Sequence, residues 1–278
     1  MPDTNLSRIT SRQSKITHVT AHEKRKDEVF MKVIVPFKVV PDSQDITIQP
    51  GGALDFSKAK NTISDYDLNA LEIAASLGAD AVVAITAGPA SIDDSKLKKN
   101  VLARGVDELF MTADDACKDM DAHATAHVLK ELVEKAGGAD LIILGDGSAD
   151  NYAQQVDVHL ASHLGLPVVT AVSHVEVDGT TLRLERVLED VVETVEVSLP
   201  CVISVTPDVA LPRIPGMKDI LAAGKKPMNV EGGAEVPAAT IELVELKAPE
   251  QADRKLDVRD ASEDGAIDAF VAALKASM

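Results

Sequence analysis

Short apolar runs alternate with longer helical patterns from Met31 onwards. The apolar runs are 32–37, 81–86, 108–111 and 141–144. Apolar residues recur at helical spacing in 65–77, 92–104, 123–136 and 152–164, and glycines follow the first three of these segments. Buried parallel strands that alternate with helices form open sheets covered on both faces. The pattern therefore predicts an α/β fold with an open, mostly parallel, Rossmann-like sheet, helices on both faces and right-handed crossovers.

The pattern changes after Pro167. Residues 168–177 and 181–188 are strand-like, and Asp178-Gly179 between them is a hairpin signal. Residues 193–199 alternate between apolar and polar side chains, and 201–205 are apolar. We therefore expect an antiparallel extension of the parallel sheet.

Both ends of the chain differ from this central region. Residues 1–30 are polar and locally basic without an apolar segment, so we interpret them as a disordered leader, either native or an upstream start. Residues 31–229 form the predicted nucleotide-binding α/β domain, and 230–240 have the composition of a linker. Residues 262–277 have the spacing of an amphipathic helix. We therefore interpret 230–278 as a linker and C-terminal arm that docks on this domain or on a partner subunit.

Composition narrows the classes of function. The net charge of -17 disfavours nucleic-acid binding, because such a surface repels a phosphate backbone. The two cysteines, Cys117 and Cys201, lack C-x-x-C spacing, which excludes a cysteine-ligated zinc or iron–sulfur site supplied by this chain alone. Two unclustered cysteines fit a reducing, cytoplasmic location. No apolar run of about 18 residues occurs, so no transmembrane segment is predicted.

Loops at the carboxyl ends of the predicted strands are the candidate binding site, because open α/β sheets bind ligands there. Four loops qualify: 36–38, 64–67, 87–89 and 145–155. The fourth is glycine-rich and opens a helix, so its backbone can approach a phosphate closely. Asp146 and Asp150 would repel a phosphate placed directly against them and suit an N-cap, a ribose hydroxyl or a metal ion. The alternative to a binding loop at 145–155 is an ordinary strand–helix turn with an Asp cap.

No catalytic constellation is present in the sequence. His123 and His127, and likewise His159 and His163, are i, i+4 pairs that would share a metal only if they faced a pocket. They lack the glutamate of an H-E-x-x-H motif, and we interpret them as helix-surface histidines. A G-x-S-x-G elbow, a P-loop and the full Rossmann fingerprint are also missing, which disfavours a standard NAD dehydrogenase.

Six stretches carry a resemblance to a known family. They are 31–35, Ser64-Asp-Tyr-Asp-Leu-Asn-Ala-Leu-Glu72, 99–108, Gly145-Asp-Gly-Ser-Ala-Asp-Asn-Tyr-Ala-Gln-Gln155, 184–190 and Leu211-Pro-Arg-Ile-Pro-Gly-Met-Lys-Asp-Ile-Leu221 with 224–227. In this order they resemble the β subunit of electron transfer flavoprotein, and most closely the Fix-type branch associated with nitrogen fixation and anaerobic carnitine metabolism. The resemblance covers the chain from Met31 to Met278.

The resemblance implies a heterodimer with an α subunit that holds an electron-carrying FAD. It implies an electron-transfer subunit and not an enzyme, with NADH oxidation only in the complex. The β pocket holds AMP in simple members of the family and a second FAD in members that bifurcate electrons, and both alternatives stay open here. The partners would be the α subunit, a flavin dehydrogenase and a quinone- or ferredoxin-linked acceptor. A free-standing adenine-nucleotide-binding regulator of the stress-protein type and an NAD-dependent enzyme are the competing classes.

The resemblance also implies which residues bind the cofactor. They are Pro36, Phe37, Lys38, Ser64, Asp65, Tyr66, Asp67, Ala87, Gly88, Pro89, Asp146, Gly147, Ser148, Asp150, Gln154, Gln155 and Val156. The family often has Gln-Thr-Gly where this chain has Gln155-Val156-Asp157, so the phosphate contacts at this point stay open.

Two further roles follow from the resemblance. Residues 211–221 match the loop that docks on the partner dehydrogenase, with Met217 as the apolar anchor. The other docking residues implied are Arg213, Ile220 and Leu221. Glu193 matches an acidic residue that gates the flavin domain of the α subunit, while Arg186 and Glu189 are interpreted as paired strand charges.

Overall fold

The computed structural model describes residues 30–249, 258 and 260–277. The thirteen strands within them are β1 (Lys32–Pro36), β2 (Val39–Pro41), β3 (Thr47–Ile48), β4 (Leu54–Asp55), β5 (Asn61–Ile63), β6 (Ala81–Gly88), β7 (Glu108–Ala113), β8 (Leu141–Gly145), β9 (Val168–Asp178), β10 (Thr181–Val187), β11 (Val192–Ser198), β12 (Cys201–Val205) and β13 (Met228–Glu231). The helices are α1 (Asp65–Ser76), α2 (Ser95–Leu102), α3 (Ala122–Lys135), α4 (Val156–Leu164), α5 (Met217–Ala223) and α6 (Ala266–Ser277). Apart from Phe30, the predicted leader lies outside the described residues.

A nine-stranded sheet organises the fold, in the order β11-β10-β9-β12-β8-β1-β6-β7-β13. The pairs from β9 to β13 along this order are parallel, and β10 pairs antiparallel with β9 and with β11. Gly179 takes a φ of 61° in the turn between β9 and β10, as the hairpin prediction required. The predicted fold class, a mostly parallel α/β sheet with an antiparallel extension, is confirmed.

The order of the strands reverses beside β1. From β1 the chain proceeds through β6 to β7, and then returns to the other side of β1 with β8. Helices α1 and α2 contribute to the core on one face of the sheet, and α3 and α4 to the core on the other. The switch point of the sheet therefore lies between β1 and β8, and the carboxyl ends of these strands are Pro36 and Gly145.

The central strand β1 is buried on both faces. Val33 and Val35 belong to the same core as Leu71 of α1, whereas Ile34 packs in the opposite core with Leu132 of α3. All five of these side chains are almost fully buried and aliphatic. Burial of apolar surface stabilises a fold by about 25 cal/mol per Å². These packed side chains therefore hold in place the strand ends that carry the candidate site.

Helix α4 begins four residues later than the pattern predicted. The predicted segment 152–164 starts at Tyr152, but the helix runs from Val156 to Leu164. Tyr152 and Gln154 have φ angles of 44° and 54°, which are incompatible with a right-handed helix. The residues between the glycine-rich turn and α4 therefore form an irregular loop at the carboxyl end of the sheet.

Strand β11 is an exposed edge of the sheet. Glu193 and Glu196 lie opposite Arg186 and Arg183 of β10 in the strand register. The Nη1 of Arg186 lies 3.7 Å from Oε2 of Glu193, whereas Glu189 lies in the bend beyond β10. The partner of Arg186 is thus Glu193, and the expected pairing of Arg186 with Glu189 is wrong.

Four histidines meet where α3 packs on α4. The ring centroids of His123 and His163 are 5.1 Å apart, those of His123 and His159 are 5.7 Å apart, and those of His127 and His163 are 5.9 Å apart. All four side chains are half-buried, which corrects the expectation of helix-surface histidines. In the part of the chain that the structure describes, no three metal-ligating side chains are arranged to hold a metal ion.

Protonation of His163 opposes folding. Burial, followed by the positive charges that His123, His127 and His159 acquire and by Lys130, lowers the pKa of His163. Its Nε2 is buried and has no hydrogen-bond partner among the residues that the structure describes. Glu131, 3.7 Å from Nε2 of His127, offers the cluster a carboxylate from α3. The unfolded chain therefore binds a proton at position 163 more readily than the folded chain does.

We expect the stability contributed by neutral His163 to be complete above its unfolded pKa of about 6.5 and to fall as the pH decreases through that value. His163→Gln should reduce the loss of unfolding free energy between about pH 7.5 and about pH 5.5, measured by urea denaturation. His174→Gln is the control, because this residue is exposed on β9 and lies outside the cluster. Its unfolding free energy should change with pH as that of the natural chain does. If the unfolding free energy of His163→Gln fell with pH as steeply as that of the natural chain, this explanation would be contradicted.

Candidate functional site

A buried carboxylate joins the ends of the two strands at the switch point. Asp67 lies in the first turn of α1 and is 6% exposed. Its Oδ2 accepts a hydrogen bond from the backbone N–H of Lys38 (2.7 Å), and its Oδ1 accepts one from that of Gly145 (3.3 Å). Burial raises the pKa of Asp67 to about 7, even though both backbone donors act to lower it. One side chain thus holds the chain after β1 beside the end of β8.

Ser64 adds a second link between the same loops. Its backbone N–H donates to the carbonyl oxygen of Lys38 (3.0 Å), and its Oγ accepts from the backbone N–H of Ala149 (3.3 Å). Ser64 is fully buried and directly precedes α1. The predicted loops 36–38, 64–67 and 145–150 are therefore brought together.

An ion pair closes the outer side of this junction. The Nζ of Lys38 lies 2.6 Å from Oδ2 of Asp150, and the Oγ of Ser148 donates to Oδ1 of the same carboxylate (2.6 Å). Burial alone would raise the pKa of Asp150, but these hydrogen bonds outweigh it and lower the pKa. The positive charge of Lys38 is therefore already balanced by a protein carboxylate.

Asp146 has one engaged and one free carboxylate oxygen. Its Oδ2 accepts a hydrogen bond from the hydroxyl of Tyr152 (3.0 Å), whereas its buried Oδ1 has no partner among the described residues. Burial raises the pKa of Asp146. A buried acceptor without a donor is uncommon in folded proteins, and a ligand hydroxyl would satisfy it. Asp146 is therefore suited to a sugar hydroxyl and unsuited to a phosphate.

Two tyrosine rings lie above the glycine-rich turn. The ring centroids of Tyr66 and Tyr152 are 5.1 Å apart, with the planes tilted by 38°. A Cβ atom at Gly147 would lie 2.2 Å from Cδ2 of Tyr152, so glycine is required for the ring to rest on this backbone. Similarly, a Cβ atom at Gly145 would lie 2.7 Å from Cβ of Tyr66. The turn permits close approach from above, as predicted for a binding loop.

The loop before α4 presents polar side chains to solvent. Gln155 precedes the helix and makes no side-chain capping hydrogen bond. Gln154 and Gln155 are exposed, and Val156 is half-buried. The carboxylate of Asp157 is buried. Its Oδ2 accepts a hydrogen bond from the hydroxyl of Ser204 on β12, and its Oδ1 accepts one from the backbone N–H of Val158 in the same turn (2.9 Å). Free N–H groups at a helix start are a common phosphate-binding feature.

The remaining predicted cofactor residues lie on either side of this junction. Pro36 and Phe37 are buried, and the backbone N–H of Phe37 donates to the carbonyl oxygen of Ile85 on β6 (2.9 Å). Gly88 at the end of β6 accepts a hydrogen bond from the backbone N–H of Asp114 beyond β7 (2.9 Å), and Ala87 and Pro89 flank it. Ala87, Gly88 and Pro89 therefore lie on the β6 side of β1, away from β8. Asp65 is exposed in the first turn of α1.

The predicted docking residues differ in exposure. Met217 and Leu221 are 77% and 67% exposed, whereas Ile220 packs partly against the core. The Nε and Nη2 of Arg213 donate to the carboxylate of Glu72 on α1 at 2.7 and 2.8 Å, and these bonds lower the pKa of Glu72. Arg213 thus anchors the loop to α1, while the apolar side chains of Met217 and Leu221 face solvent.

Family membership is decided by a match over most of this structure. The sequence model of the electron transfer flavoprotein domain family matches residues 52–235, about two thirds of the chain. The chain belongs to the electron transfer flavoprotein domain family. Members of this family are electron-transfer proteins and generally bind flavin. The match includes the loops at the ends of β6 and β8, Glu193 and the docking loop, and it begins after 36–38. Among the described residues, no helix has the length and apolar character needed to cross a membrane.

The contribution of Tyr152 was not predicted from the sequence. It lies in a predicted helix, so its ring was not expected to fold back over Gly147. A signal was nevertheless available, because the chain has only two tyrosines and no tryptophan. Each tyrosine stands in one of the two loops that meet at the switch point of this flavoprotein-family fold.

We expect Asp67→Ala to destabilise the chain by about 1–3 kcal/mol, because it leaves two backbone N–H groups at the junction without their acceptor. Asp65→Ala removes an exposed carboxylate from the same turn of α1 and should change stability by less than about 0.5 kcal/mol. Urea denaturation of both variants and the natural chain measures the difference. Similar losses for the two variants would show that the Asp67 hydrogen bonds do not hold the junction.

Proposed function

We propose that this chain is the β subunit of a heterodimeric electron transfer flavoprotein of the Fix-type branch. It would pass electrons between a dehydrogenase, or NADH, and a quinone- or ferredoxin-linked acceptor. The transfer would proceed either with or without electron bifurcation. The observation that carries the proposal is the junction at the switch point, where Asp67 joins β1 to β8 within a fold of this family. A free-standing stress-type regulator is not favoured by the family match.

An adenine nucleotide is the ligand that the junction fits best. The free oxygen of Asp146 would accept a sugar hydroxyl, and Gly147 would permit close approach of the ligand to the backbone. The N–H groups of Val156 and Asp157 at the start of α4 would bind phosphate. AMP and the adenosine half of FAD share these groups, so either ligand is compatible with the site.

The protein's contribution to electron transfer is binding, orientation and exclusion of water. A bound FAD supplies one- and two-electron redox chemistry, which amino-acid side chains do not provide. In this proposal a second FAD in the pocket makes the chain part of a bifurcating complex, and AMP makes the pocket structural. An FAD on the α subunit is required in both cases.

The C-terminal arm supports the proposed heterodimer. The arm is tied to the domain where Asp121 accepts hydrogen bonds from the backbone N–H and the hydroxyl of Thr240, at 2.6 and 2.8 Å. Beyond this point large apolar side chains are exposed, namely Ile241, Leu243, Val244, Leu246, Ile267, Phe270, Val271 and Leu274. Exposed apolar residues in such number are typical of an interaction surface. We propose that the α subunit covers the arm, 230–278, while 31–229 binds the nucleotide.

A cytoplasmic location is part of the proposal. Cys117 and Cys201 are both free and buried, which fits a reducing compartment. Burial raises the pKa of Cys201 to about 11, so this thiol stays protonated.

Co-expression with the α subunit, followed by counting of flavins per heterodimer, tests the function. We expect a stable heterodimer that contains either two flavins, as in a bifurcating complex, or one flavin and one AMP. Extraction of the ligands and their chromatography distinguish the two cases. A purified complex without any adenine nucleotide, or the absence of a complex, would contradict the proposal.

Met217→Asp should reduce electron transfer to the dehydrogenase by at least about tenfold, because it places a charge at the centre of an apolar interface. The flavin content should stay intact, since Met217 lies outside the nucleotide junction. Ile48→Asp, a similar change at an exposed apolar residue of β3, is the control and should transfer electrons normally. Loss of flavin together with transfer in Met217→Asp would show that the loop is structural.

A further inference from the structure

Tyr152 covers the backbone that a ligand of the proposed site would approach. Its ring lies so close to Gly147 that a Cβ atom there would be 2.2 Å from Cδ2 of the ring. Its centroid is 5.1 Å from that of Tyr66. An aromatic ring inserted between the two tyrosines would require a separation of about 7 Å, twice the optimal contact distance between carbon atoms. The two rings therefore exclude a third ring in this arrangement.

The hydroxyl of Tyr152 also binds one of the two oxygens of the Asp146 carboxylate. It donates to Oδ2 at 3.0 Å, while Oδ1 of the same buried carboxylate has no partner in the described part of the chain. A phenol hydroxyl and a sugar hydroxyl can each donate one hydrogen bond to a carboxylate. Because Oδ1 is itself buried in this arrangement, a ligand reaches the Asp146 carboxylate only by displacing a neighbouring group, and Tyr152 is the group that holds the other oxygen.

The surroundings of Tyr152 allow it to leave this position. The residue is 45% exposed, so its ring borders solvent on one side. Tyr152 and Gln154 have φ angles of 44° and 54°, a conformation that costs free energy for residues other than glycine. Release of the ring from Gly147 would permit this strained segment to relax.

We infer that Tyr152 is a gate, whose hydroxyl and ring occupy Asp146 and Gly147 until a sugar hydroxyl of an incoming adenine nucleotide displaces them. The inference rests on the proposed function for the identity of the ligand. It assigns Asp146 the role of hydroxyl acceptor and makes the affinity of the site dependent on the competition between Tyr152 and the ligand. A ligand without sugar hydroxyls gains nothing from displacing the phenol.

Calorimetric titration of the full chain with AMP and with 2′,3′-dideoxy-AMP tests the gate. Tyr152→Phe retains the ring but removes the competing donor, so AMP should bind about tenfold more tightly than to the natural chain. Binding of 2′,3′-dideoxy-AMP should change much less. Ser162→Ala, at an exposed site in the last turn of α4, is the control and should bind both ligands as the natural chain does. Thermal denaturation of each variant verifies that it is folded.

Tyrosine fluorescence provides a second measurement that does not depend on the variant. Tyr66 and Tyr152 are the only tyrosines and tryptophan is absent, so the aromatic emission excited in the chain arises from the site alone. Addition of AMP should increase the quenching of this emission by iodide, because the ring of Tyr152 becomes exposed.

The outcomes separate the gate from the function on which it rests. If AMP binds the natural chain but Tyr152→Phe binds it equally or more weakly, or if quenching does not increase, the gate is wrong and the proposed function stands. If neither AMP nor FAD binds to the natural chain or to any variant, the proposed function itself fails.

Discussion

The hydrogen bonds of Asp67 are the interaction on which the site depends. Parallel strands β1 and β8 are neighbours in the sheet, but their pairing stops before the loops that follow them. The buried carboxylate extends the connection past the last paired residues by accepting from the backbone of Lys38 and Gly145. Because Asp67 belongs to α1, the same contact also sets the position of that helix over the switch point. Apart from 87–89 at the end of β6, every predicted loop of the nucleotide site is attached to one of these three elements.

Carboxylates dominate the junction, although a nucleotide is itself an anion. The protein resolves the conflict by giving each acid a different partner, since Asp67 binds backbone donors, Asp150 binds Lys38, and Asp157 faces Ser204. Asp146 alone retains an acceptor without a donor in the described residues. Recognition at this position therefore favours hydroxyl groups, and binding of phosphate is left to backbone N–H groups, whose partial charges do not require a basic side chain.

Much of the fold could be predicted from the sequence, because its elements follow from local periodicity. The alternation of apolar runs and helices, and Asp178-Gly179, were sufficient for the mostly parallel sheet and its hairpin. Strand β13 was not anticipated, since Met228–Glu231 is short and owes its conformation to pairing with β7. It also spans the predicted domain boundary at residue 229.

The details of the site depended on tertiary contacts that no local pattern encodes. Asp65 and Asp67 are equivalent candidates in the sequence, yet only Asp67 is buried, because the helix turns that side towards the strand ends. Tyr152 lies in a segment of helical composition, yet it contacts both Gly147 and Tyr66 from an irregular loop before α4. The strand ends were thus predictable as a region, whereas the role of each side chain was not.

The outer edge of β11 has a consequence for the behaviour of the protein at high concentration. An exposed edge strand offers unpaired backbone groups to other chains and invites growth of the sheet from one molecule to the next. Glu193 and Glu196 lie on opposite faces of this strand, so a second copy that added here would bring carboxylates against carboxylates on both sides. The charges of β11 therefore discourage fibrillar self-association.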